Sequence, residues 1–429
     1  MSESREEESS GALPGARLAL SLLVVVYAIN FVDRQILSVL IEPIKAELGL
    51  SDTQLGFLTG FAFAVFYATL GVPIGRLADR VNRVSIISAA AALWSVMTAL
   101  SGLAQNFWQL AAARIGVGVG EAGCTPPAHS MIADLFPPGK RASAMSIYQL
   151  GVPIGSVVGL VAGGWINEIW GWRVAFMAVG LPGLGVALAL KLVVKDPPRG
   201  RSEEASSGDG VVGFGEALAL IWQIRSFRNI AYGMALAGLG AYGVLTWFPA
   251  FLMRTYGIGS GEAASWLGPL GLLGGVTGTL AGGFFTDRLS RRDRRWYTWL
   301  PSIALVVGLP AFAWICLTEH FAVVIALLVV PNFLGSVHTG PTFAMTQSLA
   351  PIRVRAMASA IILLFTNLIG LGLGPLVIGG LSEWLEPEYG VRSLGYAMLI
   401  VIPLNIWAAA HYFWASRSLR AELDAQKQA

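Results

Sequence analysis

Long apolar runs, separated by short polar stretches marked with Gly and Pro, dominate the chain. Twelve of them reach the roughly 20 residues a bilayer crossing needs. They lie near residues 17–41, 54–75, 84–104, 107–135, 141–166, 172–194, 228–253, 262–286, 296–317, 320–347, 355–381 and 391–414. None shows the short, alternating pattern of a membrane barrel strand, so helices are predicted throughout. One interval reads differently. Residues 196–213 are polar and Gly/Ser-rich, as a flexible hinge would be. After it, Leu218, Ile221, Trp222 and Phe227 are interleaved with Glu216, Arg225 and Arg228, the pattern of a helix lying along a membrane surface. The expected fold is an all-α integral membrane protein with twelve transmembrane helices in two six-helix bundles. Its expected parts are a disordered tail (1–16), an N-terminal bundle (17–194), a linker with a surface helix (195–227), a C-terminal bundle (228–414) and a C-terminal tail (415–429).

Two internal echoes support two bundles. Gly75, Asp79, Arg80 and Arg83 are spaced Gly-x-x-x-Asp-Arg-x-x-Arg, and Gly283, Asp287, Arg288 and Arg291 repeat that spacing about 208 residues later. Arg141-Ala142-Ser143-Ala144-Met145 is echoed at about 214 residues by Arg355-Ala356-Met357-Ala358-Ser359. Paired bundles about an axis along the membrane normal are the layout of one large class of transporters.

Composition agrees with a membrane protein. Mean hydropathy is +0.64 and only 13% of residues are charged, about half of what a soluble surface carries. Most of the 29 Lys and Arg fall in the tails and in the loops after even-numbered spans, which places both termini in the cytoplasm. A bacterial inner membrane is the expected location. The net charge of +3 reflects this bias and not a nucleic-acid footprint, because the basic residues are scattered over many loop ends. The acidic, Ser-rich start has no basic region ahead of its apolar stretch, so it reads as a tail and not a signal peptide. Cys124 and Cys316 lie inside predicted helices, which implies neither a disulfide framework nor a metal site.

Charges inside the spans carry the functional reading, since intramembrane ionisable groups by default mark a substrate or proton path. Asp33 and Arg34 lie in the first span, Arg114 and Glu121 in the fourth. At 1.5 Å per residue, Asp33 sits about 13 Å and Arg114 about 12 Å below the outer ends of their helices. The matched depths predict an Asp33–Arg114 pair. Glu121 lies about 10 Å deeper on the same face, without an evident mate. Gly116, Gly120 and Gly123 fall on the opposite face and predict close helix packing. Asn30 and Tyr27 extend the polar stripe of the first span, and Tyr148 in the fifth is a further substrate-binding candidate. The competing reading is a static ion pair that only sets helix register. The second half offers Asn332, His338, Thr339 and Asn367, with Tyr242 and Trp247 in the seventh span, so charge is concentrated in one half against a mostly apolar other. That asymmetry suits an amphiphile with a charged head and an apolar tail.

The two hairpins, together with Arg114-Ile-Gly-Val-Gly-Val-Gly-Glu121, resemble the major facilitator superfamily over about Leu18 to His411. Asn30-Phe31-Val32-Asp33-Arg34, followed by Glu47-Leu-Gly-Leu-Ser-Asp-Thr-Gln-Leu-Gly56, is similar to its spinster-type branch. The resemblance implies alternating access and proton-linked movement of lysophospholipids or sphingosine-1-phosphate-like lipids. It implies that Asp33 carries a proton, that Arg114 is its partner or the headgroup binder, and that Glu121 is a further proton or cavity residue; Arg34 is a further substrate-binding candidate. It also implies a cytoplasmic gate of Asp79, Arg80, Asp287 and Arg288. Exposed amides near Arg355, at the start of the eleventh span, and near Arg141, at the fifth, suit Asp79 and Asp287. Arg83 and Arg291 complete the candidates, and a plain solvated loop is the competing reading. Asn82 and Val84 depart from the usual hairpin, and the fifth span has Gly151, Gly155, Gly159 and Gly163 but no Gly-Pro pair; Gly374-Pro375 stands in the eleventh instead.

Other classes fit less well. His129, His320, His338 and His411 are scattered and form no catalytic or zinc spacing, and no Gly-rich phosphate loop is present, so neither an enzyme nor an ATP-driven pump is expected. No cofactor or metal is expected. The partners are protons, the bilayer and a small amphipathic lipid, with the protein a monomer. The runner-up within transporters is a proton-coupled exporter of small organic anions or drugs.

Overall fold

The computed structural model describes residues 13–78, 80–199, 214–351 and 354–428, and every regular element among them is helical. Along the first half these are α1 (Ala16–Leu48), α2 (Asp52–Ala78), α3 (Arg83–Ser101), α4 (Phe107–Glu121), α5 (Thr125–Leu135), α6 (Pro138–Gln149), α7 (Gly151–Trp170) and α8 (Trp172–Val193). The second half has α9 (Phe214–Trp222), α10 (Arg225–Tyr256), α11 (Ser260–Ser290), α12 (Trp296–Val307), α13 (Leu309–Leu317), α14 (Phe321–Ser336), α15 (Thr339–Leu349), α16 (Arg355–Phe365), α17 (Gly374–Tyr389), α18 (Ser393–Val401) and α19 (Leu404–Gln428). Among the described residues, ten helical stretches are long and apolar enough to cross a membrane. The last of them, Met357–Ala425, holds two crossings joined at the turn Gly390–Arg392. With the interrupted α4–α5 crossing, the expected twelve are present.

Helix ends follow local chemistry. Gly49 and Gly257 stop α1 and α10 in the left-handed region (φ +63° and +66°), where a side chain would be strained. Ser51 and Gln54 close a capping box at the start of α2. The fourth crossing, read from sequence as continuous over 107–135, breaks after Glu121, because Pro126 and Pro127 enter the first turn of α5 without N–H donors. Glu121 is therefore the last residue of α4 and not a mid-helix position. Wider π turns at Phe57–Phe61 and Thr366–Leu373 interrupt the second and eleventh crossings.

Packing divides the chain into two compact units. The first holds α1, α2 from Ala62 onward, α3 to α8, and the start of α11 as far as Ser265. The second holds residues 51–61, α9, α10 and the chain from Trp266 onward. Two short segments thus change sides relative to a division at the linker. Ser260 explains one: its hydroxyl donates to the Gly164 carbonyl (2.8 Å) and takes a bond from Asn167 (2.9 Å).

Within the first unit, α1 lies against α7 so closely that a Cβ on Gly155 would stand 2.1 Å from the Ala28 carbonyl oxygen, and one on Gly159 2.7 Å from that of Val32. The predicted glycine face of the fourth crossing packs on α3: Gly116 meets Met97, Gly120 meets Trp94 and Gly123 meets Ala90. The second unit repeats the first of these contacts and adds another. Gly238 and Gly243 of α10 lie against Thr366 and Gly374, and Gly278 of α11 against Phe333. The sequence duplication is thus also a duplication of packing.

The tail (1–12 of 1–16), the hinge beyond Arg199 and Asp79 lie outside the described residues. Residues 415–428, expected as a tail, are helical and docked. Glu422 accepts the backbone N–H groups of Arg225 (2.8 Å) and Ser226 (3.0 Å) at the start of α10, where exposed amides favour a carboxylate. The surface helix α9 is anchored by fully buried Ile221 and by Trp222, stacked on Phe365 at 5.3 Å.

Candidate functional site

Asp33 and Arg34 leave α1 in different directions, and the pairing differs from the one the depths suggest. The Arg34 Nε donates to Glu121 Oε2 at 2.6 Å, whereas no Asp33–Arg114 ion pair closes within the described residues. Side-chain direction explains this, since depth along an axis says nothing about facing. Glu121, read as lacking a mate, has Arg34. Asp33 is fully buried and Arg114 nearly so. Both Asp33 oxygens, and the Nε and Nη1 of Arg114, meet no hydrogen-bond partner among the described residues. Arg114 and Glu121 nonetheless act electrostatically on Asp33, so two cations and two anions form one compact group. Asn30, also buried, faces Glu121.

Arg34 is the accessible member of the group, with its side chain 18% exposed. Its guanidinium lies over three aromatic faces: Tyr67 at 4.5 Å, and Phe31 and Phe63 at 4.9 Å. Arg114 reaches the Phe63 ring at 5.7 Å. Such a cage holds the guanidinium plane without consuming its donors, because ring faces attract the cation and accept no strong hydrogen bond. Sequence reading missed Phe31, Phe63 and Tyr67. The signal was present in Phe63 and Tyr67, four residues apart on one face of α2, and Phe31, one turn before Arg34. Beside the cage, Tyr27 stacks on Tyr148 at 4.3 Å, and His129 meets Tyr148 edge-on at 5.5 Å. Tyr148 is fully buried, with its hydroxyl unpartnered among the described residues.

The candidates of the second half stand apart from any charge cluster in their own unit. Asn332 spends its amide on the Leu328 carbonyl (2.9 Å). His338 caps α15 and has an unpartnered Nδ1 among the described residues. Asn367 lies half-buried in the π turn before α17. Trp247 is fully buried and donates to the Pro375 carbonyl at 2.8 Å. The pair the sequence reading did not single out is Asp52 with Arg254: two bonds of 2.7 Å join them, and Ser382 donates to Asp52 at 2.7 Å. No periodicity marks that pair, because its members are about 200 residues apart.

The hairpin residues divide. Arg83 is buried and serves its own unit: its side chain donates to Asp196 (2.8 Å), Asp134 (2.5 Å), Ser130 (2.9 Å) and the Pro197 carbonyl (2.7 Å). It therefore ties α3 to α5 and to the chain after α8, a structural role instead of the gating one expected. Arg80 is exposed. In the second copy, Arg288 and Arg291 are exposed, and Asp287 accepts the Tyr297 hydroxyl at 3.1 Å. The tie there comes from Asp293, which joins Arg295 (2.8 Å) and Arg420 (2.5 Å). The Arg295 guanidinium foremost, with Arg420, holds the Asp293 carboxyl well below the usual range. Arg141 keeps Nε and Nη2 unpartnered among the described residues, and Arg355 opens α16. No group of three His, Cys, Asp or Glu suited to a metal occurs among the described residues.

Comparison with known proteins agrees with this architecture. The family described as Major Facilitator Superfamily matches residues 23–375. An MFS-type efflux pump of Mycolicibacterium smegmatis is 34% identical over 94% of both chains. Protein spinster homolog 1 of Xenopus tropicalis is 27% identical over 96% of this chain and 84% of its own length. Among solved structures, a bacterial homolog of the human lysosomal transporter Spinster, in an inward-facing and unoccupied conformation, superimposes with a TM-score of 0.88. It is 32% identical, with 96% of this chain and 99% of that chain covered.

Proposed function

The chain belongs to the major facilitator superfamily, and from that premise we propose that this spinster-like secondary transporter couples protons to the movement of a single-tailed anionic lipid. The observation that carries the reading is Arg34, caged by three aromatic rings and bonded to one carboxylate, Glu121, with part of its surface open. A guanidinium fork binds a phosphate by two parallel hydrogen bonds, which a point charge does not reproduce. Glu121 competes with that phosphate. Protonated, Glu121 releases its hold and leaves Arg34 to the headgroup; deprotonated, it reclaims Arg34 and ejects the headgroup. The sequence reading gave the headgroup to Arg114 first. The near-complete burial of Arg114 favours Arg34 as the contact and Arg114 as the charge that balances Asp33 and Glu121.

Burial of the lipid's tail adds to headgroup binding. Each methylene is worth about 0.8 kcal/mol against water, but a lipid already in the membrane realises only part of that. Tyr148 is the polar group this reading sets beside the cage, and Asn332, His338 and Asn367 remain the substrate-binding candidates of the second half. Alternating access of the two halves, with the basic ends and both termini in the cytoplasm of a bacterial inner membrane and the protein a monomer, completes the reading. In it Asp79 and Asp287, with Arg80, Arg141, Arg288, Arg291 and Arg355, hold the inner side closed. A ligand that fits should raise the unfolding temperature of purified protein. Lysophospholipid or sphingosine-1-phosphate should stabilise the wild type but not Arg34→Lys; equal stabilisation of both contradicts the headgroup assignment. The efflux-pump relative supports export as the direction of the alternative reading, a proton-coupled exporter of small organic anions or drugs; stabilisation by those compounds alone would favour that alternative.

A further inference from the structure

Of four buried hydroxyls on α3, that of Thr98 approaches Asp33. Neither Asp33 oxygen has a hydrogen-bond donor among the described residues, yet Thr98 of α3 faces the carboxyl. Thr98 belongs to a stripe with Ser88, Ser95 and Ser101, all four buried, and their spacing keeps them on one face of the helix. The hydroxyls of Ser88, Ser95 and Thr98, and the Trp94 indole N–H, are unpartnered among the described residues. The Ser95 hydroxyl occupies the notch left by Gly183 of α8, where a Cβ would stand 2.0 Å from it. Ser101 donates to the Met97 carbonyl at 3.0 Å.

Past Ser101 the stripe reaches the surface. The carbonyls of Gly102 and Ala104 accept the Arg173 guanidinium (3.1 and 2.6 Å), which also holds Glu47 at 2.9 Å. Arg173 and Glu47 keep 32% and 49% side-chain exposure. Thr98 lies about 6 Å below Gly102 by helical rise. An unpartnered buried polar group is costly, and the partner such groups usually take is ordered water, which makes about three hydrogen bonds. Thr98 faces a carboxyl that lacks a donor, with the unpartnered Ser95 hydroxyl one turn away on the same helix, and ordered water is the partner such groups take.

We propose, resting on the proton-coupled reading above, that Thr98, with Ser95, Ser101 and the water they hold, is the route by which Asp33 exchanges its proton with the end of the unit marked by Glu47 and Arg173. In the step, water donates a proton to Thr98 Oγ while the Thr98 O–H passes its own hydrogen to the Asp33 carboxylate. Thr98 Oγ forms one O–H bond and breaks one, the donating water regains its proton from bulk hydronium, and the net change is one proton moved from solvent to the carboxyl; rotation of the hydroxyl resets the path. The charges acting on Asp33 are Glu121 and Arg114 of α4, with Arg34 its neighbour on α1. Proton and anion then approach the charged group from different faces.

Hydrogen–deuterium exchange of the Asp33 carboxyl, followed by its infrared C=O stretch in purified protein, tests this without substrate or transport. Asp33→Asn identifies the band by removing it. Thr98→Val keeps the shape and deletes the hydroxyl, and should slow exchange about tenfold, equivalent to ~1.4 kcal/mol on the barrier. Thr98→Ser should restore the rate. Exchange at the wild-type rate in Thr98→Val overturns the route, as does a slowing produced instead by Tyr67→Phe on the Arg34 face. Failure to find, at any pH where the protein is folded, a protonated-carboxyl band that Asp33→Asn removes also overturns it. A wild type that exchanges by this route yet moves no lysolipid would refute the transport reading alone.

Discussion

Arg34 and Glu121 show what one bonded pair means in a low-dielectric setting. Removing a single member of a buried ion pair costs about 3–5 kcal/mol, because the other is left charged and unsolvated, whereas removing both is often close to neutral. Arg34→Met should therefore lower the unfolding temperature more than Arg34→Met combined with Glu121→Gln, and additive losses in a double-mutant cycle would contradict the pairing. Asp293 provides a pH-dependent counterpart outside the spans. Its folded-state carboxyl lies below its unfolded value, chiefly through Arg295. Its contribution is therefore fully present above the unfolded value of about 3.9 and is lost as pH falls towards the folded one. The stability difference between wild type and Asp293→Asn should stay constant from about pH 5 to pH 8 and shrink below about pH 4. A difference that changes between neutral and mildly acidic pH would count against it. At this scale the sequence showed which residues were charged inside the membrane. It did not show who pairs with whom, since Asp33 and Arg34 are neighbours in the chain and face different surroundings.

The elements were legible where hydrophobic length and glycine spacing speak. The twelve apolar runs, and the glycine face Gly116, Gly120 and Gly123, have structural counterparts. The break after Glu121 and the two π turns were not legible, because Pro inside an apolar run is tolerated in membrane helices and its effect depends on neighbours. Close approach gives a direct test. A Cβ on Gly155 would meet the Ala28 carbonyl oxygen at 2.1 Å, whereas one on Gly185 meets nothing within 4 Å. Gly155→Ala should destabilise by about 1–3 kcal/mol through forced separation of α1 and α7. Gly185→Ala should be neutral or stabilising by up to about 1 kcal/mol, since Ala is the better helix former. Thermal unfolding in detergent measures both, and equal effects would contradict the packing.

For the whole molecule, the duplicated hairpin announced two related bundles, and packing repeats the duplication: α1 on α7 in one unit, α10 on the segment around Gly374 in the other. The copies have also diverged. Arg83 is a buried tie in the first, while Asp293 takes the tying role in the second. A repeat in sequence therefore predicted architecture better than it predicted the duty of each residue. Asp52 and Arg254 make the same point, since nothing local in either segment foretells a pair closed by tertiary packing. The proton coupling proposed above would depend on all of these parts together. Its most direct measurement is lysophospholipid flux into proteoliposomes driven by an imposed pH gradient, in the wild type and in Asp33→Asn, with thermal unfolding confirming that both are folded. The gradient should drive flux in the wild type and lose its effect in Asp33→Asn. Full gradient-driven flux in the mutant, or movement of a small hydrophilic anion while lysophospholipid stays put, would contradict the account.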